Sequence, residues 1–346
     1  MTVANYSQLR TDKIRPLAEL LPLDTPLSMM VDPSNVCNFK CVFCPTGDHD
    51  ALARVQRPVG MMTLELFRKI VDDLAAFPQP LQVLHLYKDG EPLVNKQLEA
   101  MVACARASGR VKRVELTTNG SLLTPQRAEG LIRAGLDGLR VSIYALDDAG
   151  YRDVAQTRTR FETIRHHVQE LHRLKLALRP DFHIHVKTID TGFTESQRAY
   201  FHGTFRPIAD TVFIDSLVKW YESEVRDISG MLKPELNLYG QKAQPRRVCA
   251  EPFMKLVVNF NGAVSVCCVD WSLGTVVGDV SREPLRDIWL GEPLRTMRLA
   301  QLRGCREDYE ACRNCQYPKS LPAVANLDAE VGRLLAAYEP AAAAAG

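Results

Sequence analysis

Between residues 27 and 215 short apolar runs alternate with amphipathic stretches. Residues 28–32, 81–87, 114–118, 139–144, 183–188 and 211–214 are short, apolar and rich enough in β-branched or aromatic side chains to read as strands. Behind Thr63, an N-cap residue type, Leu64, Phe67, Ile70, Val71 and Leu74 recur at helical spacing. Further helices are predicted over residues 96–108, closed by Gly109, and over 125–134, where Pro125 occupies a tolerated first-turn position. Two more fall at 161–176 and 194–205. Six strands alternating with helices predict an α/β fold with a parallel sheet under a helical cover. Right-handed crossovers curl such a sheet into a barrel or part of one, with its chemistry at the C-terminal strand ends.

After Pro245 the pattern changes. Residues 254–260 and 263–268 flank the turn Asn261-Gly262, a hairpin signal, and a helical stretch follows over 285–302. The predicted organisation is an N-terminal extension (1–27), a barrel (28–220), a small β-hairpin-plus-helix domain (245–320), and a C-terminal helix with a disordered Ala-rich tail (321–346). The net charge of +2 is the balance of 43 basic and 41 acidic residues with no long single-sign block, which disfavours a nucleic-acid substrate. No run approaches the ~18 apolar residues of a membrane span. Glu19 and Pro22 interrupt the only N-terminal apolar stretch, so no signal peptide is expected and the protein is placed in the cytoplasm. There the ten cysteines stay reduced, and clustered ones bind metal rather than form disulfides.

The sharpest cluster is Cys37, Cys41 and Cys44, a C-x3-C-x2-C run. Three soft ligands on one loop suit an iron–sulfur cubane with one iron left open. Structural zinc normally takes a fourth protein ligand, and the nearest candidates, Asp48 and His49, lie beyond Pro45. This triplet, at the end of the first strand, resembles the signature of the radical S-adenosylmethionine (SAM) superfamily. The resemblance covers residues 28–215 and implies a partial (β/α)6 TIM-like barrel, with SAM chelating the open iron of a [4Fe–4S] cluster. Gly90, Glu91 and Pro92 match the family's Gly-Gly-Glu-Pro motif, which meets the amino group of SAM, although Asp89 stands where the family has its first glycine. Thr117, Asn119 and Ser142 fall where the family lines the SAM pocket, and Phe43 falls where an aromatic residue touches the adenine. His183, His185 and Lys187 share one strand face; if it faces the lumen, Lys187 meets the SAM carboxylate or a substrate anion.

The later cysteines resemble the SPASM and Twitch auxiliary domains of that superfamily. Cys249, Cys267, Cys312 and Cys315, with 17, 44 and 2 residues between them, form one complete four-thiolate set, and no cysteine follows. The resemblance therefore implies a Twitch-type domain with a single auxiliary [4Fe–4S] cluster, at intervals similar to those of the aminocyclitol dehydrogenases. Cys268 is the alternative to its neighbour Cys267; on a strand only one of the two faces a cluster. Cys104 reads as a helix core residue, and Cys305 as either packing or a functional thiol.

A fully ligated auxiliary cluster implies an electron acceptor, and hence net oxidation. The leading expectation is dehydrogenation of a hydroxyl on a sugar, aminocyclitol or nucleotide-linked sugar, fed by a flavodoxin- or ferredoxin-type electron donor. The rivals are a redox-neutral epimerase with Cys305 or Cys268 as hydrogen donor, a peptide-modifying enzyme, and a non-catalytic iron–sulfur or zinc protein. The short segment before Ser28 leaves no room for a leader-binding winged helix, which lowers the peptide option. Tyr87, Tyr144, His185, Trp220 and Tyr221 are candidate lining residues of the substrate pocket.

Overall fold

The computed structural model describes residues 15–218 and 229–339, so Trp220, Tyr221 and the Ala-rich tail lie outside the described residues. Strands β1 (Ser28–Val31), β2 (Val83–Leu86), β3 (Val114–Thr118), β4 (Gly138–Ile143), β5 (His183–Ile189) and β6 (Thr211–Asp215) are all parallel, and each pairs with its sequence neighbour. The predicted helices occur at Leu64–Asp73, Leu98–Ala107, Pro125–Arg133, Phe161–Leu178 and Glu195–Phe205. Three start at threonine caps whose hydroxyls accept a backbone N–H: Thr63 from Leu66, Thr124 from Arg127 and Thr194 from Gln197. The helix Leu64–Asp73 buries Phe67, Ile70 and Val71, about 1.5–3 kcal/mol for each such side chain.

The small C-terminal domain departs from expectation. Strand β7 (Lys255–Val258) pairs in parallel with β1, from Ser28 opposite Lys255 to Val31 opposite Val258. Strands β8 (Ala263–Ser265) and β9 (Val276–Asp279) then add antiparallel, giving one sheet of nine strands in the order β6-β5-β4-β3-β2-β1-β7-β8-β9. The expected hairpin therefore continues the barrel's own sheet, and β9 was not anticipated. The helix expected over residues 285–302 is two helices, Leu285–Leu290 and Glu292–Arg303. The break is at Gly291, because Pro293 has no N–H to continue the first helix and is tolerated only in the first turn of the second.

The main core lies between sheet and helices, with Met29, Val31, Leu84, Leu86, Val114 and Val141 at its centre. A second core joins both chain ends to the small domain: Leu17, Ala18 and Leu21 pack with Val248, Phe253, Leu302, Leu327, Leu334 and Tyr338. Trp289 donates its indole N–H to the Leu23 carbonyl at 2.9 Å, and Arg333 donates to the carbonyl of Ala18. Residues 17–23 are thus built into the C-terminal layer.

Candidate active site

The cysteine loop leaves β1 and is pinned by its backbone. Lys40 and Val42 donate to the carbonyls of Ala155 and Val154 at 3.0 and 2.9 Å, and the Cys44 N–H closes a turn onto the Cys41 carbonyl. Phe39 meets Tyr144 and Tyr151 edge-on, while Phe43 stacks on Tyr144 with centroids 6.0 Å apart. Burial pushes the Cys37 thiol up to about 12 and raises that of Cys44. Thiols buried this way ionise only against a cation, which is the donor chemistry of an iron–sulfur site.

The Gly-Glu-Pro segment after β2 serves this loop directly. A Cβ on Gly90 would lie 2.2 Å from the Ser34 carbonyl oxygen and 2.5 Å from that of Val36, so only glycine fits against the cysteine loop. The Glu91 N–H donates to the Val36 carbonyl at 2.9 Å. Its carboxylate accepts from the Leu93 N–H at 3.0 Å, and from Thr118 Oγ1 and the Asn119 N–H at 2.7 Å each. Burial outweighs these bonds and raises the Glu91 carboxyl to about 7. Glu91 is thus a buried hub joining the ends of β2 and β3, and Pro92 opens the short 3-10 turn that it caps. Asn119 Nδ2 donates to Asn38 Oδ1 at 2.9 Å, tying the end of β3 to the cysteine loop.

A cavity of about 480 Å³ opens over the strand ends, lined by Cys37, Cys41, Cys44, Phe43, Gly90, Glu91, Thr117, Asn119, Ser142 and Lys187. Tyr87, Tyr144 and His185 join them, as does Cys268. Sequence reasoning missed Lys255, Asp215, Tyr239 and Tyr317, which complete the wall. Two partly buried lysines face this space: Lys187, paired with Asp215 at 3.0 Å, and Lys255, held from behind by the buried Glu251 at 2.9 Å. The imidazole of His185 is pushed down to about 2 by burial, with Arg140 and Lys187 adding to the effect, so it is neutral and donates or accepts against Thr211 Oγ1 at 2.6 Å. His183 bonds the same hydroxyl at 3.2 Å from deeper in the barrel. The period-two face of β5 is the lumen face.

Cys249, Cys267, Cys312 and Cys315 line a second, small and largely apolar cavity with Pro252, Val266, Ala311 and Pro318. Burial raises the Cys249 thiol and takes that of Cys312 to about 11. The four half-buried thiols line one cavity, a donor set that fits a closed cluster. Cys267 and Cys268 sit after β8 rather than on the strand, so strand alternation does not separate them: Cys267 lines the small cavity and Cys268 the large one, yet both thiols lie within 4.8 Å of each other and of a Glu251 carboxylate oxygen. Cys268 Sγ lies 3.6 Å from Glu251 Oε2. Cys305 is exposed, its thiol 3.9 Å from the Arg303 carbonyl, and it lines neither cavity.

The family model for the radical SAM superfamily matches residues 31–195, and that for the SPASM iron–sulfur cluster-binding domain matches residues 249–316. Over these two segments this chain carries the radical SAM and SPASM domains. Its cofactors are SAM and [4Fe–4S] clusters, one in the radical SAM domain and one auxiliary. Among curated relatives, a GTP 3',8-cyclase of Stenotrophomonas maltophilia is 32% identical over 138 residues, which is 39% of this chain and 36% of the relative. An AdoMet-dependent heme synthase of Methanosarcina barkeri is 33% identical over 107 residues, 31% of this chain and 28% of the relative. The match thus spans about a third of the length of these curated relatives. Among solved structures, BtrN in complex with AdoMet and 2-DOIA aligns with a TM-score of 0.52 at 18% identity, over 84% of this chain and 93% of that one. Streptococcus suis SuiB bound to S-adenosylmethionine aligns at 0.60 with 13% identity, over 88% of this chain and 74% of that one. The two solved structures share the fold of this chain. No described helix is long and apolar enough to cross a membrane.

Proposed function

We propose that this protein oxidises a hydroxyl of a small polar ring, a sugar, an aminocyclitol or a nucleotide-linked sugar, to a ketone. With a flavodoxin- or ferredoxin-type protein as electron donor, SAM and the first cluster would supply the radical chemistry that removes a hydrogen atom from carbon, the auxiliary cluster would take the remaining electron, and the hydroxyl proton would leave to a carboxylate on the cavity wall, Asp215. Cys37, Cys41 and Cys44 would hold the first cluster; Cys249, Cys267, Cys312 and Cys315 would hold the second. Phe43, Gly90, Glu91, Pro92, Thr117, Asn119 and Ser142 are proposed to form or support the SAM seat. The observation that carries the reading is a single cavity bounded by the first cysteine loop on one side and the auxiliary domain on the other. Its far wall presents the Lys187–Asp215 pair and Lys255 beside Tyr87, Tyr239 and Tyr317, donors and acceptors suited to a polyhydroxylated ring. Placement of the reacting carbon against these groups sets the rate. Lys187 is the proposed catalytic contact, because its ammonium faces the cavity and stabilises a developing oxyanion.

The test is anaerobic turnover of the reconstituted holoenzyme with candidate sugars and aminocyclitols. One methionine and one 5'-deoxyadenosine per ketone is the expected ratio; regeneration of SAM in each cycle would overturn the dehydrogenase reading. A second reading, a redox-neutral epimerase, is favoured by the thiol of Cys268 on the cavity wall. Under it, Cys268→Ala stops product formation while SAM cleavage continues. The exposed Cys305 is the poorer hydrogen donor of the two thiols.

A further inference from the structure

We propose that Lys88 is a positioning residue that couples SAM binding to the seating of the auxiliary-cluster loop. The proposal rests on reading Gly90 and Glu91 as the SAM seat, and it explains Asp89, where this chain departs from the family's glycine. The Lys88 ammonium is completely buried and lies 2.5 Å from Asp89 Oδ2, whose side chain is 8% exposed. The same oxygen accepts from Arg57 Nη2 at 2.9 Å. From the other side Lys88 Nζ donates to the Asp270 carbonyl at 2.9 Å, across 182 residues of sequence.

Both ends of this strap reach a cysteine loop. Thr46, two residues after Cys44, donates its hydroxyl to the Asp89 carbonyl at 2.7 Å. Asp270, three residues after Cys267, organises the auxiliary loop: its carboxylate accepts from the Gly274 N–H at 3.0 Å, the Thr275 N–H at 2.9 Å and the Thr275 hydroxyl at 2.6 Å. A buried ammonium needs a counter-charge close by. Asp32 is buried near this group, but the ammonium's carboxylate partner is Asp89. A glycine at position 89 could not hold Lys88 there. Since Asp89 and Gly90 are consecutive, ligand binding that fixes Gly90 and Glu91 also fixes Lys88, and through it the Asp270 loop. Coupling of this kind is reciprocal.

The experiment is amide hydrogen exchange on the anaerobically reconstituted holoenzyme with and without SAM. The Gly274 and Thr275 amides report on the auxiliary loop, and the Glu91 and Asn119 amides on the SAM seat. In the wild type, SAM is expected to slow exchange at all four, by about fivefold or more at Gly274 and Thr275. In Lys88→Met the slowing at Glu91 and Asn119 remains and that at Gly274 and Thr275 is lost. Asp89→Asn, which keeps the shape and removes the counter-charge, is the second variant, and its loss is partial. Iron content confirms that each variant carries its clusters. SAM-dependent protection at Gly274 and Thr275 that survives in both variants overturns the coupling, as does its absence from the wild type when the SAM seat is protected. No protection at Glu91 and Asn119 in the wild type overturns the SAM seat itself and the coupling with it.

Discussion

Glu91 shows how a residue recognised from a motif works through its neighbours. Its two carboxylate oxygens take three donors, so Glu91→Gln must turn its amide N–H₂ toward a backbone or hydroxyl donor. A loss of about 1–3 kcal/mol of stability is expected in urea unfolding, together with weaker SAM binding by equilibrium dialysis. His185 makes a pH prediction. Its folded pKa of about 2 lies below the ordinary 6.5 for histidine, so as pH falls below 6.5 the unfolded chain takes up a proton that the native state refuses. Stability therefore drops on acidification, by at most about 1.4 kcal/mol per pH unit from this residue. His185→Gln removes that contribution: its unfolding midpoint falls less than that of the wild type between pH 7.5 and pH 5.5. The motif letters at positions 90 to 92 were legible in the sequence. The roles were not, since a hydrogen-bond hub is defined by partners 27 and 28 residues away.

At the scale of elements, the cysteine loop is held by what packs behind it. Gly90→Ala drives a methyl into the carbonyls of Ser34 and Val36, backbone atoms that cannot step aside. A penalty of about 3 kcal/mol or more is expected, read as lost cluster loading in reconstitution. Gly109→Ala is the contrasting variant: φ is +64° with nothing within 4 Å of the new methyl, so only the left-handed strain of about 1–2 kcal/mol applies. The helices were legible because apolar periodicity and threonine caps are local signals, as at Thr63, Thr124 and Thr194. The break at Gly291 was also written locally, in Pro293, but a continuous apolar pattern on both sides masked it.

At the scale of the whole molecule, one sheet runs through both cysteine regions. Removing everything after residue 245 strips β7 from β1, whose Met29 and Val31 are fully buried in the intact chain. The isolated barrel segment is expected to aggregate, because an apolar central strand becomes an open edge. The intact chain is expected to unfold in one cooperative transition monitored by circular dichroism. Equal solubility of the truncated and full chains would contradict this. The second core adds to the effect, since Leu17, Ala18 and Leu21 lose their partners with the C-terminal layer.

The sequence by itself determined the strand-helix alternation, the loop that carries Cys37, Cys41 and Cys44, and the shared face of His183, His185 and Lys187 on β5, because periodicity, capping and ligand spacing all act over a few residues. Only the tertiary structure decided that β7 docks on β1, that Cys267 and Cys268 line different cavities, and that Lys187, Asp215 and Lys255 share a wall with the SAM motif. Those facts depend on contacts between residues far apart in the chain. Such contacts form where buried charges find partners and apolar edges find cover, and short-range pattern does not encode them.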